Sequence, residues 1–348
     1  MAQERHFRRG MTLVELLMVV AIMTVLMAVA IPMVRPAFRD RQLREAARQM
    51  NVFFSGAKAR AAESGRPFGV WMEVQADPDS GPYAVQLHMA EVAPDFTGAV
   101  LGERCTVEQT GPTTGQLHFW LPDGTQQDTE YLERLLNPDR VEKFHIGFDH
   151  KGPVYKCEHD PSNAGVFEIF IPRGVPPGTR HPSDPSNPGP RPVGQTFEIT
   201  RAPNKSIVTP LTLPGDAVID LTVSGVGLGA NTNSFAAASA NMPLMVMFNP
   251  TGQVKTVRMD NVSWQPTGSI YLMIGRRAKV VTPGGAGFSD PEVSNVADPA
   301  NLWLTINSRT GAVTTEDNAA TSPASMSVQA RIKAAREFAR GSRQKGGR

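Results

Sequence analysis

Residues 1–35 read MAQERHFRRGMTLVELLMVVAIMTVLMAVAIPMVR, and everything else in the chain is arranged around what this stretch can do. From Leu16 to Val34 there are 19 residues without a charge, and Thr24 is the sole polar side chain among them. At about 1.5 Å per residue a helix of that length spans roughly 28 Å, close to the hydrocarbon thickness of a bilayer. A buried core helix would carry a polar face or sit deep within a large domain. This segment is apolar on every face and follows an Arg-rich start (Arg5, Arg8, Arg9), the arrangement of membrane-directed segments. A cleaved secretory signal fits less well, because the apolar run is too long and no small-x-small site closes it. Glu15 stands at the edge of the run, where an ionised carboxylate costs a few kcal/mol near a membrane centre and therefore marks a functional residue with a partner to be named.

The segment Arg9-Gly10-Met11-Thr12-Leu13-Val14-Glu15-Leu16-Leu17, followed by the apolar run and Pro32, resembles the leader and first helix of type IV prepilins and pseudopilins. In that family a dedicated prepilin peptidase cuts after the Gly and methylates the new terminal amine. The resemblance implies cleavage between Gly10 and Met11 and N-methylation of Met11, with Met11 standing where Phe is usual. It also implies that Glu15 serves subunit assembly and that the helix kinks near Pro32. Cleavage would create a cationic amine at Met11, four residues from Glu15. In the family the Glu of an incoming subunit pairs with the amine of a neighbour, and such a pair is far stronger in a low-dielectric setting than in water.

The formal net charge of +2, from 35 basic and 33 acidic side chains, conceals a segregation. Residues 1–10 carry +2, residues 11–66 carry +4, residues 67–330 carry −10 and residues 331–348 carry +6. Near-neutrality alone would exclude a nucleic-acid or membrane-surface protein; blocks of alternating sign describe four different environments instead. The two cysteines, Cys105 and Cys157, are too few for a disulfide-dense scaffold. They form either one candidate disulfide in an oxidising compartment or two free buried thiols.

Beyond Pro32 the pattern stays helical. Leu43, Ala46, Ala47, Met50, Phe53, Phe54, Ala57 and Ala61 recur at three- and four-residue spacing, with Arg39, Arg41, Arg44, Arg48, Lys58 and Arg60 mostly off that stripe. Ser64-Gly65-Arg66-Pro67 is a stop signal. One helix is expected over about residues 12–64. After Pro67 the period becomes two, with strands expected over Phe68–Val74 and Tyr83–Met89, then Ala217–Val223, Leu244–Phe248, Val254–Met259, Ser269–Ile274, Leu302–Ile306 and Ala312–Thr315. The carboxylates of Asp77-Pro-Asp-Ser-Gly81 read as a turn rather than a calcium loop. Leu213–Val218, Met247–Gly252 and Leu304–Val313, together with the helix end Ala57–Pro67, are similar to the H-type minor pseudopilins of type II secretion and to DNA-uptake minor pilins.

Between residues 90 and 205 that similarity stops. This insertion has strand candidates at Leu117–Leu121, Phe144–Phe148, Val166–Ile171 and Thr196–Ile199 and a helix candidate at Glu130–Leu136. Eight of the 21 residues from Pro172 to Pro192 are proline, so a disordered or polyproline-like loop is expected there.

No motif supports catalysis. Gly225-Val-Gly-Leu-Gly-Ala230 nominally fits a dinucleotide fingerprint but is followed by Asn231-Thr-Asn-Ser, a poor helix start, and reads as a flexible strand exit. His145, His150, Cys157 and His159 match no zinc spacing. No cofactor and no metal are expected. The tail reads as a short helix with a narrow apolar face, either binding phosphate backbones or anionic headgroups or extending into solvent.

The expected fold is α+β: a long N-terminal helix, transmembrane in one half and amphipathic in the other, packed on an antiparallel β-sandwich-like pilin domain with a large insertion. The segments are a leader (1–10), a transmembrane helix (11–34), an amphipathic helix (35–66), a β domain (67–320) holding the 90–205 insertion and its 172–192 loop, and a basic tail (321–348). The resemblance implies a structural subunit of a type II secretion or type IV pilus system. Its partners are prepilin peptidase, other pilins or pseudopilins and the inner-membrane assembly platform, with the soluble domain in the periplasm of a bacterium. The alternative is a subunit that binds DNA through its tail, or cargo through the insertion.

Overall fold

The computed structural model describes residues 13–77, 80–128, 144–149, 153–159, 166–171, 179–180, 194–201, 203–206, 209–229, 234–260, 262–319 and 326–345, without the side chains of 29–38, 159, 179–180 and 342–345. The Gly10–Met11 junction, the helix candidate at 130–136 and most of the Pro-rich loop lie outside those residues.

Helix α1 (Leu13–Ser64) is continuous over 52 residues, passing through Pro32 and Pro36. It ends where Gly65 adopts φ 65°, the left-handed cap that a glycine takes without strain. Then follow β1 (Phe68–Asp77) and β2 (Gly81–Val92). A second group comprises β3 (Arg104–Gln109), β4 (Thr114–Trp120), β5 (Phe144–Phe148), β6 (Val154–His159), β7 (Phe167–Phe170), β8 (Thr179–Arg180) and β9 (Phe197–Thr200). The chain returns through β10 (Pro203–Lys205), β11 (Leu211–Thr212), β12 (Ala217–Val226), β13 (Pro243–Phe248), β14 (Val254–Met259) and β15 (Val262–Trp264). It finishes with β16 (Ile270–Arg276), β17 (Leu302–Ile306), β18 (Val313–Asp317) and helix α2 (Val328–Lys345).

The main sheet is antiparallel, in the order β15-β14-β13-β1-β2-β12-β16-β17-β18, and the outer edge of β2 is shared in turn by β12, β11 and β10. The amphipathic half of α1 covers one face: Leu43, Ala46, Ala47, Met50, Phe54, Ala57 and Ala61 join Ile270, Leu272, Ile274, Leu302, Leu304 and Ile306 in one core. The alternate residues of the same strands, Tyr271, Met273 and Trp303, face the other way and pack with Ile332, Ala335 and Ala339 of α2. Covering both faces explains why β16 and β17 are apolar throughout instead of alternating with polar residues. Four alanines on the α1 stripe let the helix lie close to the sheet. The turns Asn249–Gly252 and Asn307–Gly311 abut: a Cβ on Gly311 (φ 59°) would sit 1.9 Å from the carbonyl oxygen of Gly252, so that position admits no side chain.

The second sheet runs β8-β3-β4-β7-β6-β5-β9, and its ends meet. Gln195, just before β9, exchanges two 2.9 Å main-chain hydrogen bonds with Cys105 of β3. The result is a small closed barrel whose inward positions alternate along β3 to β7 and β9: Cys105 and Val107, Leu117 and Phe119, Phe144, Ile146 and Phe148, Tyr155 and Cys157, Phe167 and Ile169, Phe197 and Ile199. Closure leaves few strand edges open, and edge-to-face rings such as Phe144–Phe167 at 5.5 Å fill the interior. The barrel leaves the main sheet after Val92 and re-enters at Pro203, two residues that pair with each other.

The domain is largely antiparallel and β-rich, and its two sheets have separate cores, with α1 on one face of the main sheet and α2 on the β12, β16 and β17 part of the other. The tail differs from a solvated extension. Its helix α2 runs Val328–Lys345, and both Arg331 and Arg336 are buried.

A buried polar network lies beneath the irregular segment 280–301. Asp220 accepts from the Thr222 main-chain N–H at 3.0 Å, from the Thr222 hydroxyl and from Asn295 Nδ2 at 2.9 Å. Burial outweighs these bonds and raises the Asp220 carboxyl to about 6. The native state therefore holds this proton more tightly than an unfolded chain, whose Asp titrates near 3.8. The stability so gained is complete below about pH 4 and lost as pH rises through 6, about 3 kcal/mol in all for a fully buried group. In denaturant titrations across that window, the wild type is expected to lose that much stability relative to Asp220→Asn; parallel pH profiles would remove the assignment.

Candidate functional site

The candidate site is the N-terminal half of α1. Glu15 is the acid of its first turn, with its side chain exposed, where the unpaired main-chain N–H groups of a helix start favour negative charge. Around it the large apolar side chains from Leu13 to Met27 are 41–79 % exposed, on every face of the helix. A helix that is apolar all round needs a cover its own domain does not supply. Among the described residues no helix is long and apolar enough to cross a membrane. The apolar side chains that are described end at residue 28, roughly 24 Å of helix at 1.5 Å per residue.

Below this half lies a cationic collar. Arg39, Arg41, Arg44 and Arg48 are exposed and point away from the stripe that docks on the sheet. Glu45 accepts from Arg48 Nη2 at 2.7 Å and from Gln49 Nε2 at 2.8 Å. Arg48 first, and then Gln49, hold the Glu45 carboxyl down at about 2, so it stays ionised within the collar. The helix is tied to its domain at three levels. Asp40 pairs with Arg276 at 2.6 Å, Asn51 donates to the Val313 carbonyl at 3.4 Å, and Lys58 donates to the Thr310 carbonyl at 2.7 Å. These contacts fix the direction in which the exposed half leaves the domain.

The other residues singled out from sequence are not brought to this site. Gly10 and Met11 lie outside the described residues. Pro32 is inside α1, where its ring removes one main-chain donor from the helix ladder. Cys105 and Cys157 are free thiols, both buried inside the barrel, where burial pushes both well above the usual thiol range. His145 and Cys157 lie on opposite sides of the barrel wall, since Phe144 is the residue paired with Cys157 and His145 is the next along the strand. They do not share a ligand position. The glycine run at 225–230 has a different role from either reading weighed above. The carbonyls of Gly227 and Gly229 accept from Arg336 Nη1 at 3.0 Å each, and that of Val223 accepts from Nη2 at 2.6 Å, so the strand exit is pinned by the tail helix. Periodicity had no means of finding that contact.

Residues 5–31 match the family model of the prokaryotic N-terminal methylation motif. No curated protein and no solved structure matches the chain. The motif is that of type IV pilin-like and pseudopilin precursors, which prepilin peptidase processes and which assemble with other pilins. It implies a membrane-anchored or pilus-associated protein, and its family is structural rather than enzymatic.

Proposed function

We propose that this protein is a minor pseudopilin or pilin-like structural subunit of a type II secretion or type IV pilus system. Prepilin peptidase cleaves it between Gly10 and Met11 and methylates Met11. Residues 11–34 then hold it in the bacterial inner membrane, with the folded domain in the periplasm, until α1 packs among neighbouring subunits. The observation that carries this reading is the coincidence of the methylation motif with a helix that is exposed and apolar all round and bears one carboxylate in its first turn. The local similarities at Leu213–Val218, Met247–Gly252 and Leu304–Val313 favour the H-type minor subunits. Cys105 and Cys157 are free, buried thiols inside the barrel; a disulfide between them is the reading that an oxidising periplasm would favour.

The test is the mass of the chain's N-terminal peptide, recovered from membranes of cells with and without the peptidase. The expected peptide begins at Met11 and carries one extra methyl group, and it reverts to the uncut leader when the peptidase is absent. An N-terminus other than Met11 in cells with the peptidase, or one at Met11 in cells without it, would remove the reading.

A second reading, display of a binding surface, is favoured at the insertion rather than at the tail. The barrel has its own core and presents its outer face beyond the main sheet. The tail spends two of its arginines inside the protein, so it offers fewer cations to a phosphate backbone than its formal charge suggests.

A further inference from the structure

Where the barrel joins the main sheet, a cleft of about 270 Å³ opens between them. Its walls come from four places that are distant in the chain: the end of α1, the two segments linking barrel and sheet, strand β5 of the barrel, and strands β13 to β15. Arg66, Arg201, Lys255, Arg258 and His145 line it, with Asp95 as the facing acid. This concentration of basic groups stands out in a region, residues 67–330, that carries 27 acidic against 17 basic side chains.

The guanidinium groups are placed by main-chain carbonyls. Arg201 donates from Nε and Nη2 to the Pro94 carbonyl at 3.3 and 3.0 Å, Arg66 Nη1 to that of Val92 at 3.4 Å, and Arg258 Nε to that of Asp260 at 3.1 Å. For Arg66 and Arg201 a neutral acceptor fixes the guanidinium without cancelling its charge. Asp95 is the acid that faces these cations. Burial, and then a hydrogen bond to Glu198, raise its carboxyl above the usual range. Lys255 is exposed, and its charge, with that of Lys156, disfavours protonation of His145 after burial has already done so.

We propose that this cleft is a docking site for an acidic, extended peptide segment of a partner polypeptide, whose carboxylates are taken by Arg66, Arg201, Lys255 and Arg258. The mixture of groups suits a peptide more than a phosphate polymer. Asp95 and Ser263 offer acceptors for peptide N–H groups, whereas phosphodiesters bring only acceptors. Strand β15 is the sheet's edge at the cleft, leaving its outer main-chain groups available to an extended chain. The inference goes beyond assembly through α1 and does not depend on it.

The experiment measures fluorescence polarisation on the full chain in detergent, using a pool of short labelled peptides that alternate acidic with apolar residues. The control pool has amides in place of the carboxylates. The acidic pool is expected to bind saturably and to weaken with salt, the amide pool to bind poorly, and Lys255→Glu to weaken binding roughly tenfold, as for the loss of one charge contact of about 1.4 kcal/mol. Lys255 is exposed, so this variant should unfold at the wild-type temperature; Arg201→Gln provides a second, independent loss. Equal binding of both pools, no saturable binding, affinity unchanged in both variants, or displacement of the peptide by inorganic phosphate or duplex DNA at matched charge would each overturn the assignment.

Discussion

Glu15→Ala leaves the precursor inserted and cleaved but excludes it from the filament: that is the expected result, with incorporation falling at least tenfold. The reasoning starts from the helix. On the proposed processing, removal of the leader would leave a cationic amine at Met11, four residues before Glu15 in the sequence. If α1 then leaves lipid and packs among other helices, both charges lose solvent, and a desolvated cation without its partner costs ~3–5 kcal/mol. That is enough to shift an assembly equilibrium by more than two orders of magnitude. Insertion moves the other way, since deleting a carboxylate from an apolar segment makes membrane entry easier. The two readouts therefore separate, and a general folding defect would not separate them. Glu15→Gln, which keeps the size and removes the charge, should behave like alanine. Wild-type amounts of either variant in sheared filaments would end the pairing argument.

Arg336→Ala carries the second large effect, on stability. The side chain is wholly buried, donates to three main-chain carbonyls, and lies 5.9 Å from the centre of the Tyr271 ring. Burial lowers its guanidinium to about 10, still charged at neutral pH. Truncation leaves the buried Val223 carbonyl and the partly solvated carbonyls of Gly227 and Gly229 without this donor and opens a cavity under α2. A loss of ~3–5 kcal/mol follows from combining those terms. Chemical denaturation of the full chain measures the total, and amide exchange should show faster opening of the end of β12 and of α2. Arg340, exposed on the same helix, is the comparison: Arg340→Ala should change stability by less than about 0.5 kcal/mol. Equal effects at the two positions would mean that α2 is not held by this contact.

The legible parts of the fold were those whose signal is local and repeated. The α1 stripe from Leu43 to Ala61 announces itself through spacing, and each of those residues but the half-buried Phe53 is buried against the sheet. Strands with several apolar positions, such as Phe144–Phe148 and Leu302–Ile306, were readable with their bounds. β3 and β6 were not, because their inward side chains, Cys105 with Val107 and Tyr155 with Cys157, are weaker strand signals than the Phe, Leu and Ile of β4, β7 and β9, and their outward neighbours are mostly polar. Layering is hard to read for a related reason: apolar runs show that both faces of a strand are covered, but not whether a second sheet or a helix covers them.

The site divides along the same line. The processing motif and the apolar helix are contiguous in the chain, so a peptidase, a family model and a hydropathy reading all meet the same residues in order. By itself the sequence determined that N-terminal element and the segregation of charge around it. Only the tertiary structure decided where the barrel closes, which of the tail's arginines are buried, and that Arg66, Arg201, Lys255 and Arg258 line one cleft. Each of those depends on groups far apart in the chain, as Arg336 does on carbonyls 107 to 113 residues earlier. A contact of that kind is made by packing, and it leaves no spacing in the sequence from which to read it.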